Sequence, residues 1–105
     1  MQRIDVTELK RRLDAGSPCK LLDVRETWEY GICQIPGSVN VPMSQILNRL
    51  GELDQHAATV VICHHGARSY QVASYLENNG FSDISNLDGG ISAWAERIDT
   101  TMAKY

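Results

Sequence analysis

Long apolar runs are missing from this sequence. No stretch approaches the roughly 20 residues that a helix needs to cross a bilayer, which argues against a transmembrane helix. A secretory leader is not suggested either, because Asp5 and Glu8 fall where a leader would be apolar. The expectation is a cytoplasmic chain with no membrane partner. Cysteine is scarce as well. Cys19, Cys33 and Cys63 cannot all pair internally, and no two of them stand in a C-x-x-C clip. That argues against a disulfide framework and against a structural zinc site. An excess of positive charge is lacking too. Ten Lys and Arg against 13 Asp and Glu leave a net charge of -3, which offers no general attraction for nucleic acid. The one Phe, two Trp and four Tyr are scattered and do not interleave with basic residues, so no base-stacking platform is indicated.

What is present is ordinary globular material. Hydrophobic residues make up 43% and charged ones 22%, which argues against disorder. A chain of 105 residues has room for one core and not two. The reading is a single domain over residues 1–105, with its core at about 4–98 and a polar tail over 99–105. Composition alone permits a small enzyme or a small binding module.

Two hydrophobic periods alternate along the chain. Val6, Leu9 and Leu13 fall on one helical face behind Asp5 or Thr7, either of which can cap a helix. Lys20 to Val24 suits a buried strand, Thr27 to Gly31 one helical turn, and Val39-Asn40-Val41 a short strand stopped by Pro42. Ile46, Leu47, Leu50 and Leu53 predict a second amphipathic helix capped by Ser44. Thr59 to Cys63 is the clearest strand, being β-branched and bounded by polar residues. A helix is predicted from Ser69 to Asn79 with Gly80 as its left-handed cap, then a strand at Ile84. A last helix buries Ile91, Trp94, Ala95 and Ile98. Strands and helices alternate through short connections, so the fold class is α/β: an open, mainly parallel sheet with helices on both faces.

The chemistry is expected at Cys63-His64-His65-Gly66-Ala67-Arg68-Ser69. Ligands of open α/β sheets bind beyond the carboxyl ends of the strands, and Cys63 stands at such an end. The next helix points its N-terminal N–H groups back at the loop, and a curled loop can converge its own amides on the sulfur. Arg68 adds a cation. Each effect favours thiolate over thiol. Gly66 fits a tight curl, and Ser69 is a candidate N-cap. His64 and His65 can add charge at the pocket mouth, dock an anion, shuttle protons, or simply face solvent. Three neighbouring side chains of one curled loop seldom converge on an ion, so no metal is expected. The bland alternative for Cys63 is a small apolar residue that ends a buried strand.

At this point the chain resembles the rhodanese family of sulfurtransferases in its compact single-domain form. Leu22-Asp23-Val24-Arg25-Glu26, Glu29-Tyr30, Ile35-Pro36-Gly37-Ser38 and Asn40-Val41-Pro42 resemble the N-terminal signature of that family. The loop from Cys63 to Ser69 resembles its C-x-x-G-x-R motif. Gly80-Phe81, Ile84, Leu87-Asp88-Gly89-Gly90-Ile91 and Trp94 resemble its C-terminal signature. The resemblance implies a rhodanese-like fold and a ping-pong reaction. Cys63 takes sulfane sulfur from a small-molecule donor such as thiosulfate, becomes a persulfide, and passes the sulfur to cyanide or a thiol. It implies no cofactor. His64, His65, Gly66, Ala67 and Arg68 would bind substrate, with Asp23, Arg25 and Ser69 in support. Asp23, Arg25 and Glu29 read mainly as an ion-pair network bracing the catalytic edge.

Cysteine-dependent phosphatases resembling this fold carry C-x5-R. The four residues between Cys63 and Arg68 make a tighter ring, which ranks phosphatase and arsenate reductase activity below sulfur transfer. A non-catalytic module, taking persulfide from a thioredoxin-like or sulfur-relay protein, is the competing reading. The family's Gly-His before Ile-Pro-Gly is replaced here by Cys33-Gln34, and His64 stands where many thiosulfate-using members have arginine. The latter change suggests activity that falls as pH rises above the histidine range.

Overall fold

The apolar segment Thr59–Ile62 takes the centre of the sheet, where every one of its residues is buried. The computed structural model describes residues 1–105. In chain order the strands are β1 (Gln2–Ile4), β2 (Lys20–Asp23), β3 (Val39–Asn40), β4 (Thr59–Ile62) and β5 (Ile84–Leu87). The helices are α1 (Val6–Asp14), α2 (Thr27–Ile32), α3 (Ala67–Asn78) and α4 (Gly90–Arg97). The sheet order is β1-β5-β4-β2-β3 and every pairing is parallel.

The side-chain period of two divides β2, β4 and β5 between two cores. Leu21, Val60, Ile62 and Leu87 join Val6, Leu9, Ile91 and Trp94 on the α1 and α4 side. Leu22, Val61, Cys63 and Ile84 join Val72, Ala73, Leu76 and Phe81 on the α3 side. This is the expected α/β architecture with both faces covered. All five strands feed their carboxyl ends to the same edge, which is where the loop after β4 lies.

Asp5 is the cap of α1, its Oδ1 accepting the Glu8 N–H at 2.9 Å. Four expectations need correction. The sequence reading lacked β1, three residues of which only Ile4 is buried. The amphipathic helix expected behind Ser44 is two 3₁₀ turns, Met43–Gln45 and Leu47–Glu52, with a kink at Arg49. Leu47 is 66% exposed there, so it does not share the buried face with Ile46. The helix expected from Ser69 begins two residues earlier, with Gly66 at its N-cap position. The expected polar tail is not free of the fold either, as its last side chain returns to the loop after β4.

Candidate functional site

Cys63 directly follows β4 with 1% of its surface exposed, and its sulfur lies near two polar groups. The Gly66 N–H donates to Sγ at 3.0 Å and the Ser69 Oγ lies 3.3 Å from it. The first contact requires the loop to reverse within three residues. Gly66 does this at φ +112°, a conformation that side-chain-bearing residues rarely adopt. Ser69 therefore acts inside the first turn of α3, on the sulfur, and not as the helix cap. Only the Gly66 amide is directed at the sulfur, where a ring of converging amides was expected.

The carbonyls of Cys63 and His64 accept the N–H groups of Ile91 and Ser92, at 2.9 and 3.0 Å, from the first turn of α4. Two of that helix's otherwise unpaired amides thus fix the start of the loop. Gly90 makes the approach possible. A Cβ at that position would stand 2.5 Å from both carbonyl oxygens.

Arg68 does not hydrogen-bond to Cys63. Its guanidinium grips the Glu29 carboxylate with both ends, Nη1 to Oε1 at 2.6 Å and Nη2 to Oε2 at 2.8 Å. Arg68 and two further donors, the Glu26 N–H and the Tyr105 hydroxyl, outweigh burial and hold the Glu29 carboxyl at about 2. The cation expected beside the sulfur is thus paired with a carboxylate from α2.

Asp23 and Arg25 form a separate, fully buried pair, with Nη2 to Oδ2 at 2.7 Å and Nε to Oδ1 at 2.9 Å. Arg25 also donates to the carbonyls of Glu29 and Cys33, so it ties β2 to α2. Burial opposes its charge, but the bonds to Asp23 and Tyr105 prevail. The expected network of Asp23, Arg25 and Glu29 exists in two parts, bridged by a residue the sequence reading had left in the tail. The Tyr105 hydroxyl accepts from Arg25 Nη1 at 3.0 Å and donates to Glu29 Oε2 at 2.9 Å. Its ring stacks on His64, with centroids 4.0 Å apart and planes 9° from parallel.

His64 is thus half-buried between Tyr105 and the ring of His65, 4.0 Å away. Burial first, then the neighbouring His65, push its pKa below the ordinary histidine value. The partial positive charge expected at the pocket mouth is thereby disfavoured at this position, and the pH dependence drawn from it moves to lower pH. His65 and Ala67 are exposed, and Gly66 is buried. A cavity of about 220 Å³ opens beside His64, bordered by Cys33, Ile91, Ser92 and Tyr105.

A family model of the rhodanese-like domain matches residues 5–97. The chain belongs to the rhodanese family. A sulfurtransferase of Allochromatium vinosum is 37% identical over 95 residues, which cover 90% of this chain and 89% of that protein. YrkF of Bacillus subtilis, provisionally named a sulfur carrier protein, is 31% identical over 96 residues, 91% of this chain. The rhodanese domain spans about half of YrkF (52%) and 25% of the adenylyltransferase and sulfurtransferase MOCS3 of Drosophila persimilis, to which it is 36% identical over 99% of its own length. The crystal structure of SSP1007 from Staphylococcus saprophyticus superimposes with a TM-score of 0.84 at 35% identity, covering 99% of this chain and all of that one.

Within this rhodanese domain the replaced Cys33-Gln34 pair falls into two environments. Cys33 is buried, with the Arg25 Nη1 3.8 Å from its sulfur. Gln34 is exposed and reaches only the Tyr30 carbonyl at 3.5 Å. Two participants were missed. Tyr105 lies 76 positions from Glu29 and had no motif to announce it. Asn86 hides in β5, where a polar pair, Ser85-Asn86, between Ile84 and Leu87 is the one available signal.

Proposed function

We propose that this rhodanese domain is a sulfurtransferase that carries sulfur as a persulfide on Cys63. The observation that supports this best is the sulfur's placement. It stands at the carboxyl end of the central strand, 3.0 Å from the Gly66 N–H and 3.3 Å from the Ser69 hydroxyl. The Gly66 N–H, fixed in place before reaction, stabilises negative charge on sulfur without reorganisation.

In the first half-reaction the Cys63 thiolate attacks the outer sulfur of the donor. The donor's S–S bond breaks, its electron pair leaves with sulfite when the donor is thiosulfate, and Cys63 becomes a persulfide. In the second half-reaction a nucleophile, cyanide or a thiolate, attacks the outer persulfide sulfur and the Cys63 thiolate is released. No net oxidation occurs and no cofactor is needed. Incubation with thiosulfate, and separately with a low-molecular-weight persulfide, tests the reading by mass spectrometry. The protein should gain the mass of one sulfur atom, and Cys63→Ser should gain none. A wild-type protein that stays unloaded by every sulfane donor removes the proposal.

A second reading is favoured by the pairing of the nearby cations. Arg25 is neutralised by Asp23 and Arg68 by Glu29, while burial and the neighbouring His65 disfavour a charge on His64. A dianion such as thiosulfate finds little free positive charge, whereas a protein persulfide needs none. A protein donor therefore serves this site better. The relatives named as a sulfur carrier and as adenylyltransferase and sulfurtransferase fit a relay role. Loading by a cysteine desulfurase's persulfide at least tenfold faster than by thiosulfate is the expected result. Equal rates would return thiosulfate to first place.

A further inference from the structure

Behind the active-site loop, two buried acceptors compete for one proton. Ser69 is fully buried, and its Oγ lies 2.5 Å from Asn86 Oδ1 and 3.3 Å from Cys63 Sγ. Asn86 is 2% exposed. Its neighbours fix the orientation of its amide. Nδ2 donates to the Gly66 carbonyl at 3.3 Å and to Asp88 Oδ1 at 2.9 Å. Both of those are acceptors, so a flipped amide would set oxygen against oxygen twice. Oδ1 therefore faces Ser69, and it can only accept.

A serine hydroxyl has one proton to give. When that proton goes to Asn86, Oγ turns a lone pair toward Cys63, which suits a thiol S–H. When Cys63 is a thiolate, the sulfur itself must accept. The Ser69 proton that turns to it leaves Asn86 Oδ1 buried without a donor, an unfavourable state. We propose that Asn86 is a positioning residue that holds the Ser69 proton and so sets how readily the Cys63 thiolate forms. This rests on the reading of Cys63 as the nucleophile.

The rest of the loop does not depend on Asn86 alone. The Gly66 carbonyl also accepts the Tyr70 N–H at 3.2 Å, and Asp88 is held by Arg3 Nε at 3.1 Å. Other titratable and charged groups surround the chain of three. They are His64 and His65 on the loop, Arg68 and Tyr70 on α3 with Glu29 from α2, Tyr105 over His64, and Asp88 with Arg3 behind Asn86. The hydrogen bonds of Ser69 Oγ are to Cys63 and Asn86. Asn86 reaches the sulfur by two routes, through Ser69 Oγ and through the carbonyl of Gly66, whose N–H donates to Sγ; the Ser69→Ala background separates them.

The test is the rate of Cys63 alkylation by iodoacetamide across pH, in the full chain. Asn86→Ala, and the nearly isosteric Asn86→Leu, should free the Ser69 proton. They should move the rate curve to lower pH, with about tenfold faster alkylation on its acidic side. In a Ser69→Ala background the same substitutions should give no gain. Absence of the gain with Ser69 present, or an equal gain without Ser69, overturns the proposal. The unsubstituted protein supplies an independent measurement. The side-chain amide resonances of Asn86 should titrate together with the Cys63 thiolate, and an amide that stays still while the thiol titrates also overturns it. Alkylation reads the thiolate and not sulfur transfer. A protein that behaves as expected here but never takes up sulfur would lose the sulfurtransferase reading and keep this one.

Discussion

Truncating Arg68 strands a carboxylate. Glu29 is only 5% exposed at its side chain, and both its oxygens accept from that guanidinium. Arg68→Ala should therefore cost about 1–3 kcal/mol of stability, the range for a buried charged acceptor that loses its partner. The Tyr105 O–H and Glu26 N–H remain and limit the loss. Sulfur loading should fall several-fold, because the first turn of α3, which carries Ser69, loses its tie to α2. His65→Ala should change neither quantity appreciably, since that ring is exposed. Chemical denaturation and loading kinetics on the two variants check this, and equal effects would reject the bracing role of Arg68. The identity of Cys63, Gly66 and Arg68 as one loop was legible from spacing, because a strand end, a glycine and a helix start are local features. The partner of Arg68 was not. It lies 39 positions away on a helix whose orientation depends on the packed sheet.

Gly90 shows the same division at the scale of elements. A paired glycine before the last helix was visible in the sequence, but its reason is a contact between two elements. α4 delivers the N–H groups of Ile91 and Ser92 to the Cys63 and His64 carbonyls, with Gly90 at φ +58°. An alanine there meets both carbonyl oxygens at 2.5 Å in a backbone conformation that already disfavours a side chain. Gly90→Ala should cost at least about 2 kcal/mol and push α4 from the loop. Sulfur loading should drop well before the fold is lost, which calorimetry and loading assays on the same sample can separate. Normal loading in a destabilised Gly90→Ala protein would show that the α4 amides are structural only. The segment after Pro42 was misread for a related reason. Apolar spacing from Ile46 to Leu53 fits an α-helix, but of Ile46, Leu47, Leu50 and Leu53 only Ile46 is buried, so no continuous apolar face holds an α-helix against the sheet. The kink at Arg49 follows, with φ −121° and ψ 15° inside the turn. Alternating strands and capped helices carry redundant local signals; 3₁₀ turns do not.

Across the whole molecule, the net charge of -3 has no single location. Around the site the charges are organised in pairs: Asp23 with Arg25, Glu29 with Arg68, and Tyr105 between them. This arrangement makes the fold's acid limit predictable. The Glu29 carboxyl is depressed from an ordinary 4.5 to about 2 by Arg68 first, against burial, with help from Glu26 and Tyr105. A depressed carboxylate stabilises the fold fully above its unfolded value and loses that contribution as pH falls through its folded one. The Glu29 contribution should therefore be level above pH 4.5 and decline toward pH 2. Glu29 should account for about 2 kcal/mol of the decline, allowing for solvent screening around the half-exposed Arg68. The Tyr105 phenol, pushed up to about 12 chiefly by burial, stays a donor throughout this window. Tyr105→Phe keeps the ring on His64 but removes the hydroxyl from both Arg25 and Glu29. The variant should lose about 1 kcal/mol near neutral pH and show a smaller acid decline that ends at higher pH, because Glu29 has one donor fewer. Urea titrations of wild type and Tyr105→Phe from pH 7 to about pH 2 measure both effects. Superimposable acid profiles would mean that the tail touches the site without stabilising it. A displaced profile would make the residue at position 105, far from every motif, part of the electrostatic frame that holds α2 and α3 beside Cys63.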